Sequence, residues 1–259
     1  MIVRIALLLV IAASRLDELK DALTTRCCMD LLVDGFRQAF GLLVSGDAEI
    51  RGVLWLSLLV SSTATLVALL IGVPAGVALA LGRFPGRRLL ISAVNAGMGL
   101  PPVVVGLFVT ILLWRSGPLG VLEILYTPGA MVVAQAVIAS PIVTGITLAA
   151  VQNVPEAFRL QLIALGASRA QMVGVVLREA RLPMLAAVMA GFGAVISEIG
   201  ASLMVGGNIK GQTRTLTTAM VLETSKGNFD AAIALAVLLL LLIFLVNWGL
   251  TAVQQRRAP

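Results

Sequence analysis

Residues 152–183 read QNVPEAFRLQLIALGASRAQMVGVVLREARLP. The stretch is polar and carries Arg159, Arg169, Arg178 and Arg181, yet it is set between two very apolar segments. Turning a chain round at a membrane surface takes only a few residues. A polar connection this long between two membrane spans is expected to contact something in the cytoplasm.

The flanks establish that these are membrane spans. The chain of 259 residues is 59% hydrophobic and 12% charged, against about 25% charge in a soluble domain. Residues 52–82, 89–114, 124–155 and 231–255 carry no charge, and 182–205 carries one carboxylate, Glu198. A helical span needs roughly 20 apolar residues. These runs predict an all-α, polytopic membrane helix bundle with five transmembrane helices, at about 53–81, 89–114, 129–151, 183–205 and 230–250. Strands of a barrel, roughly 10 residues long, do not fit runs of this length.

Lysine and arginine orient the bundle. Arg83, Arg87 and Arg88 follow the first span, Arg159, Arg169, Arg178 and Arg181 lie between the third and fourth, and Arg256 and Arg257 follow the fifth. Arg115, Lys210, Arg214 and Lys226 fall on the other side. The bias places the 83–88 loop, the 152–181 loop and the C-terminus in the cytoplasm and the N-terminus outside. The net charge of +6 then reflects topology and anionic lipid headgroups. Nucleic acid is not expected as a partner, since no basic patch is interleaved with aromatic residues.

The N-terminal 28 residues differ from the rest. Ile5–Ala13 is too short to span, and it resembles a signal h-region without a clean cleavage site. From Met29, apolar residues at 32, 33, 36, 39, 40 and 43 recur at helical spacing. The reading is a doubtful extension over 1–28 with Met29 as the physiological start, an amphipathic interfacial helix over 29–50, and the transmembrane domain over 51–259. Cys27 and Cys28 are adjacent, a poor arrangement for a disulfide, and are assigned no function. The chain has no histidine, so Ser-His-Asp chemistry and histidine metal sites are excluded.

One segment imitates a phosphate loop. Gly206-Gly207-Asn208-Ile209-Lys210-Gly211-Gln212-Thr213 keeps the glycine spacing, but Gln212 stands where the phosphate-binding lysine is required. It also follows a membrane span rather than a strand, so its glycines are read as turn-formers.

Within the spans, Glu198 is the one carboxylate. It is read as bonded to backbone or to Ser197, with gating or subunit contact as the alternative. Asn95, Gly97, Gly99, Pro101 and Pro102 interrupt the second span, and Ser140, Pro141, Thr144 and Gly145 the third. Proline frees a backbone carbonyl, which is tolerable only against protein or a water-filled cavity. Asn95, Gly99, Pro101, Pro102, Ser140, Thr144 and Glu198 are therefore the candidate path or gate residues.

Three motifs carry a family resemblance. They are Leu70-Ile71-Gly72-Val73-Pro74-Ala75-Gly76 with Phe84-Pro85-Gly86-Arg87; Leu165-Gly166-Ala167-Ser168-Arg169; and Ser197-Glu198-Ile199-Gly200-Ala201 followed by the 206–215 segment. Residues 53–246 resemble the inner-membrane permeases of type I ABC importers, within the oxyanion group for molybdate, tungstate and sulfate. The 207–230 region is most similar to tungstate-uptake permeases. The family's coupling motif begins Glu-Ala-Ala, where this chain has Leu160-Gln161-Leu162. Its Leu-Pro comes earlier than Leu182-Pro183, which a single longer cytoplasmic helix over 154–180 would explain.

The resemblance implies a homodimer of permeases and two separate ATPase subunits, which bind ATP and Mg, docked at Leu165, Gly166, Ala167, Ser168 and Arg169. It also implies a periplasmic or lipid-tethered oxyanion-binding protein. Gly166 would permit close backbone approach to the ATPase, and Ser168 and Arg169 would bond its surface. The chain itself would hold no cofactor and catalyse no reaction, and would sit in a bacterial-type cytoplasmic membrane. A secondary carrier would usually show internal repeats, and none is clear. A membrane-embedded enzyme would need clustered ionisable residues within its spans.

Overall fold

Asp47 opens the first long helix by accepting hydrogen bonds from the N–H groups of Glu49 (2.7 Å) and Ile50 (3.4 Å), an N-cap that satisfies two orphan donors. In this computed structural model, which describes residues 29–31, 33–41 and 47–255, the chain forms helices and loops, and no strand occurs among the described residues. The helices are α1 (29–41), α2 (Ala48–Leu81), α3 (Arg87–Met98), α4 (Pro102–Leu113), α5 (Pro128–Gln152), α6 (Glu156–Ala164), α7 (Arg169–Glu179), α8 (Arg181–Ile196), α9 (Gly200–Gly206), α10 (Leu216–Ser225) and α11 (Phe229–Gln255). Residues 1–28, with Cys27, Cys28 and the proposed start boundary, lie outside the described residues, as do Arg256 and Arg257.

The centre of the bundle is the α2–α5 pair. One face of α2 buries Ser57, Ser61, Ala64, Thr65, Ala68, Gly72 and Gly76. The facing side of α5 buries Ala130, Ala134, Ala139, Val143, Thr144 and Thr147. Lipid is as apolar as leucine, so helices in a membrane associate through close van der Waals packing of small residues. Gly76 marks the tightest approach: a Cβ there would lie 2.7 Å from the Thr144 carbonyl oxygen and 2.7 Å from Thr147 Cβ. The opposite face of α2 exposes Trp55, Leu59, Leu66, Leu70 and Ile71, as a lipid-facing surface does.

Among the described residues three helices, α2, α5 and α11, are long and apolar enough to cross a membrane alone. The count reaches five when each of two bent pairs is taken as one span. The expected second span over 89–114 is not straight: α3 and α4 meet at 103° across Gly99-Leu100-Pro101. Proline at 101 and 102 cannot donate into the helical ladder, and α4 restarts with Pro102 at its first position, where a missing N–H costs nothing. The expected fourth span over 183–205 is also interrupted. It stops at Ile196 and resumes as the seven-residue α9. Its Arg181 end joins α7 across a 69° bend at Ala180.

The first long helix starts at Ala48 behind its Asp47 cap, within the expected 29–50 segment. In α1 the residues turned inward are Gly35 and Ala39, while Val33, Phe36 and Phe40 are exposed. The connection after the fourth span contains a helix the sequence reading left out. α10 buries Leu216, Thr217, Thr218 and Ala219, and the Thr215–Thr218 capping box starts it.

Candidate functional site

The 152–183 stretch folds as a helix, a tight turn and a second helix. α6 ends at Ala164, and Gly166 adopts φ +82°. The Gly166 N–H donates to the Ile163 carbonyl at 2.9 Å and the Ala167 N–H to the Leu162 carbonyl at 3.0 Å. This pair of bonds is a Schellman termination, whose left-handed residue is most easily glycine. Ser168 then caps α7: its hydroxyl accepts the Gln171 N–H at 3.3 Å, and the Gln171 carbonyl oxygen Oε1 accepts the Ser168 N–H at 2.8 Å. The single helix over 154–180 is therefore two helices, because a stop signal at 166 is followed at once by a start signal at 168. Gly166 earns its place through φ; a Cβ there would meet nothing within 4 Å in the chain.

The turn projects Leu165, which is 84% exposed. Leu160 and Ile163 on α6 are exposed as well. Aliphatic side chains exposed around a turn make it a candidate contact surface. Leu160 and Ile163 were not among the sequence candidates, though their signal was an aliphatic pair three residues apart beside a charged run. Arg169 is exposed at the first position of α7. Ala167, Ile163, Arg169 and Met172 line a cavity of about 850 Å³ between the turn and the C-terminal end of α2.

The loop is anchored to the bundle. Val154, Val176 and Ala180 are buried together with Ala150 and Val151 at the end of α5. Phe158 and Met172 pack on the same cluster, as do Val77 and Leu81 of α2. Arg83 reaches Glu156 at 3.7 Å, but both side chains are exposed, so this pair adds little.

The candidate path residues fall into two places. Ser140 and Thr144 line a cavity of about 630 Å³ between α2, α3 and α5, beside Ala75, Leu90 and Val94. Their hydroxyls donate back to the carbonyls of Ala136 (2.6 Å) and Ser140 (2.7 Å), so only acceptor capacity is left towards the cavity. Asn95, Gly99 and Pro101 are exposed on α3 and at its break, and Pro102 is half-buried.

Glu198 lies at the other break. It is 8% exposed. Its Oε1 accepts the Ala201 N–H at 2.8 Å, and its own carbonyl accepts the Thr217 hydroxyl at 3.1 Å. Bonding to backbone matches the first sequence reading, but the Ser197 partner does not appear. Ser197 instead donates to Gly193 at 2.7 Å. The carboxylate takes over an N–H that the interrupted helix would leave orphaned. A Cβ at Gly200 would sit 2.6 Å from Val103 Cγ2, so the two helix breaks abut through α4 and α9.

The phosphate-loop look-alike is closed on itself. The buried Thr213 hydroxyl donates to the Gly206 carbonyl at 2.6 Å and accepts the Ile209 N–H at 2.9 Å. Among the described residues no cluster of three or more Cys, Asp or Glu side chains could hold a metal ion.

The chain is similar to the tungstate uptake system permease protein of Peptoclostridium acidaminophilum, 38% identical over 227 residues, covering 88% of this chain and all of the relative. It is 42% identical over 196 residues to a probable anion ABC transporter permease of Haloferax volcanii, covering 74% of this chain and 84% of that one. Among solved structures, the inward-facing MetNI methionine ABC transporter superposes with a TM-score of 0.67 at 21% identity, over 82% of this chain and 96% of that one. Residues 72–259 match the family described as the binding-protein-dependent transport system inner membrane component, and the chain belongs to that family.

Proposed function

We propose that the chain is the membrane-spanning subunit of an ATP-driven importer that carries a tetrahedral oxyanion into the cytoplasm, tungstate foremost and molybdate next. The observation that carries this reading is the alignment with a tungstate uptake permease along that relative's entire length. Molybdate follows because it has the same charge and shape. Sulfate or phosphate is the alternative cargo.

The chain is a transport subunit rather than an enzyme. ATP and Mg belong to two partner ATPase subunits, docked at the Leu165–Arg169 turns of a permease homodimer. Five spans enclose little by themselves, and the Ser140–Thr144 cavity between α2, α3 and α5 is open to the surface of this chain, which favours a second copy opposite. A separate binding protein delivers the oxyanion from outside. The arginines of the 83–88 and 152–181 loops favour a cytoplasmic position for the turn and an outer N-terminus. Asn95, Gly99, Pro101 and Pro102 are assigned to the gate and Ser140 and Thr144 to the path. Glu198 is bonded to backbone and supports the outer segment rather than meeting an anion.

The deciding experiment is ATP hydrolysis by the permease co-purified with its ATPase and binding protein in proteoliposomes, titrated with tungstate, molybdate, sulfate and phosphate. Stimulation by tungstate at the lowest concentration supports the cargo. Stimulation by sulfate or phosphate alone replaces the cargo and keeps the mechanism. Absence of stimulation by all four rejects the importer.

A further inference from the structure

A second cavity, of about 670 Å³, opens where the loop after α2 meets the start of α6. Its polar lining is Arg83, Arg87, Arg88, Arg159, Gln152 and Glu156. Four guanidinium groups face one carboxylate there. Glu156 is shared with Arg83 at 3.7 Å and neutralises at most one of the four.

The local structure deepens the imbalance. Arg87 and Arg88 are the first two residues of α3, whose cap Gly86 supplies no side chain and whose first turn has no acidic residue. The N-terminal end of a helix is its electropositive end, the wrong place for a cation without a counter-ion. α6 also starts at this cavity, behind Pro155, again without a side-chain cap. Arg87 Nε donates to the Leu79 carbonyl at 2.6 Å and Arg159 Nη2 to the Val154 carbonyl at 3.3 Å. These bonds fix both side chains and use one donor each of the five a guanidinium carries. Arg159 Nε is buried and has no hydrogen-bond partner among the described residues. A buried charged donor without an acceptor is costly.

We infer that this cavity is an anion site for a tetrahedral phosphate-type oxyanion, held by Arg83, Arg87, Arg88 and Arg159. Arginine forks suit such a group through paired, charge-assisted hydrogen bonds. The volume is in the range of about 300–1,000 Å³ typical of small-ligand sites. The cavity lies where α2 and α5 end, at Leu81 and Gln152, the level of lipid headgroups. The coupling turn is at the far end of α6, about 13 Å away along the helix; Arg83 lines both this cavity and the one behind the turn, whereas Arg87, Arg88 and Arg159 line this one alone. The site depends on neither the cargo nor the ATPase. The oxyanion comes either from an anionic phospholipid headgroup or from free anion in solution, with the same chemistry at the arginines.

The test uses the full-length protein purified in uncharged detergent at fixed ionic strength. Its melting temperature is titrated with short-chain phosphatidylglycerol, short-chain phosphatidylcholine, inorganic phosphate and tungstate. The expected result is a saturable rise with at least one anion and none with phosphatidylcholine. Arg88→Gln, on an exposed side chain that fixes no carbonyl, should weaken the anion about tenfold. Arg178→Gln, exposed on α7, should leave the affinity unchanged. A shift with phosphatidylglycerol alone assigns the site to a lipid headgroup; a shift with phosphate or tungstate that Arg88→Gln weakens assigns it to free oxyanion. The inference is overturned if no anion shifts the melt, if Arg88→Gln binds like wild type, or if both variants lose affinity equally. It is also overturned if Arg88→Gln weakens only association with the ATPase, which would make the arginines a protein contact.

Discussion

The Ser57 hydroxyl accepts the Leu216 N–H at 2.9 Å and donates to the Val53 carbonyl at 2.8 Å. One buried side chain thus ties the first span to the first turn of α10, across 159 positions of sequence. Leu216 opens α10, so its N–H has no partner inside its own helix. Ser57→Ala should strand that N–H and lower stability by about 1–3 kcal/mol. Thermal unfolding in detergent would read this, and a variant melting like wild type would show the bond to be dispensable.

Gly76 and Gly249 make a matched pair. Alanine is ordinarily favoured over glycine in a helix by about 1 kcal/mol, and nothing lies within 4 Å of a Cβ at Gly249. Gly249→Ala should therefore be neutral or stabilising. At Gly76 the added methyl meets the Thr144 carbonyl and Thr147 at 2.7 Å, so Gly76→Ala should destabilise by about 1–3 kcal/mol as overpacking does. Similar melting shifts for the two variants would contradict the tight α2–α5 contact.

Gly166 is required for its backbone angle. Valine at φ +82° is strained by about 1–2 kcal/mol, whereas asparagine tolerates the region. Gly166→Val should reduce cargo-stimulated ATP hydrolysis in the assembled transporter, and Gly166→Asn should retain most of it. If asparagine fails as badly as valine, the partner's surface, and not the turn, selects glycine.

Leu165 touches little of its own chain. Leu165→Asp should leave the melting temperature of the isolated permease unchanged and abolish co-purification of the ATPase. Retention of the ATPase at wild-type stoichiometry would move the docking surface elsewhere.

Glu223 supplies the pH dependence. Hydrogen bonds from Lys226 and then Asn228 hold its carboxyl below the usual range, helped by the charges of Lys226 and Arg214. The depressed value means the folded state favours the ionised form. Its stabilisation is fully present above the ordinary carboxylate value of 4.5 and fades as pH falls through the lower folded-state value. Glu223→Gln should cost a little stability at neutral pH, since the pair is solvent-screened. The gap to wild type should close below pH 4.5. A gap that widens with acid would reverse the sign.

Hydropathy made α2, α5 and α11 legible, because an uncharged run long enough to cross a membrane has few other uses. It could not show straightness. Gly99-Leu100-Pro101 is apolar and Ser197-Glu198-Ile199 adds one carboxylate to a long apolar run, and only neighbouring helices decide whether the freed backbone groups find partners. α10 was hidden for a related reason: Thr215, Thr217 and Thr218 read as a polar loop, yet they bond one another, Glu198 and their own backbone. The Leu165–Ser168 turn was legible in principle. A glycine followed two residues later by serine is a helix stop and start, and the longer helix invoked to explain the late Leu182-Pro183 overrode it.

The 69° junction between α7 and α8 has a mechanical consequence. The two helices share Ala180 with no loop between them, so a pair moving as one rigid unit would act as a bell-crank about the buried Val176–Ala180 cluster. The arm outside the membrane is about 16 Å long and the arm inside about 24 Å. A sideways push of about 3 Å at Ser168 tilts the crank by about 10° and swings the far end of α8 by about 4 Å. That end carries the Ser197–Ile199 break, which rests against α4. Motion imposed at one membrane surface would thereby be multiplied at the opposite one, where the two interrupted spans touch.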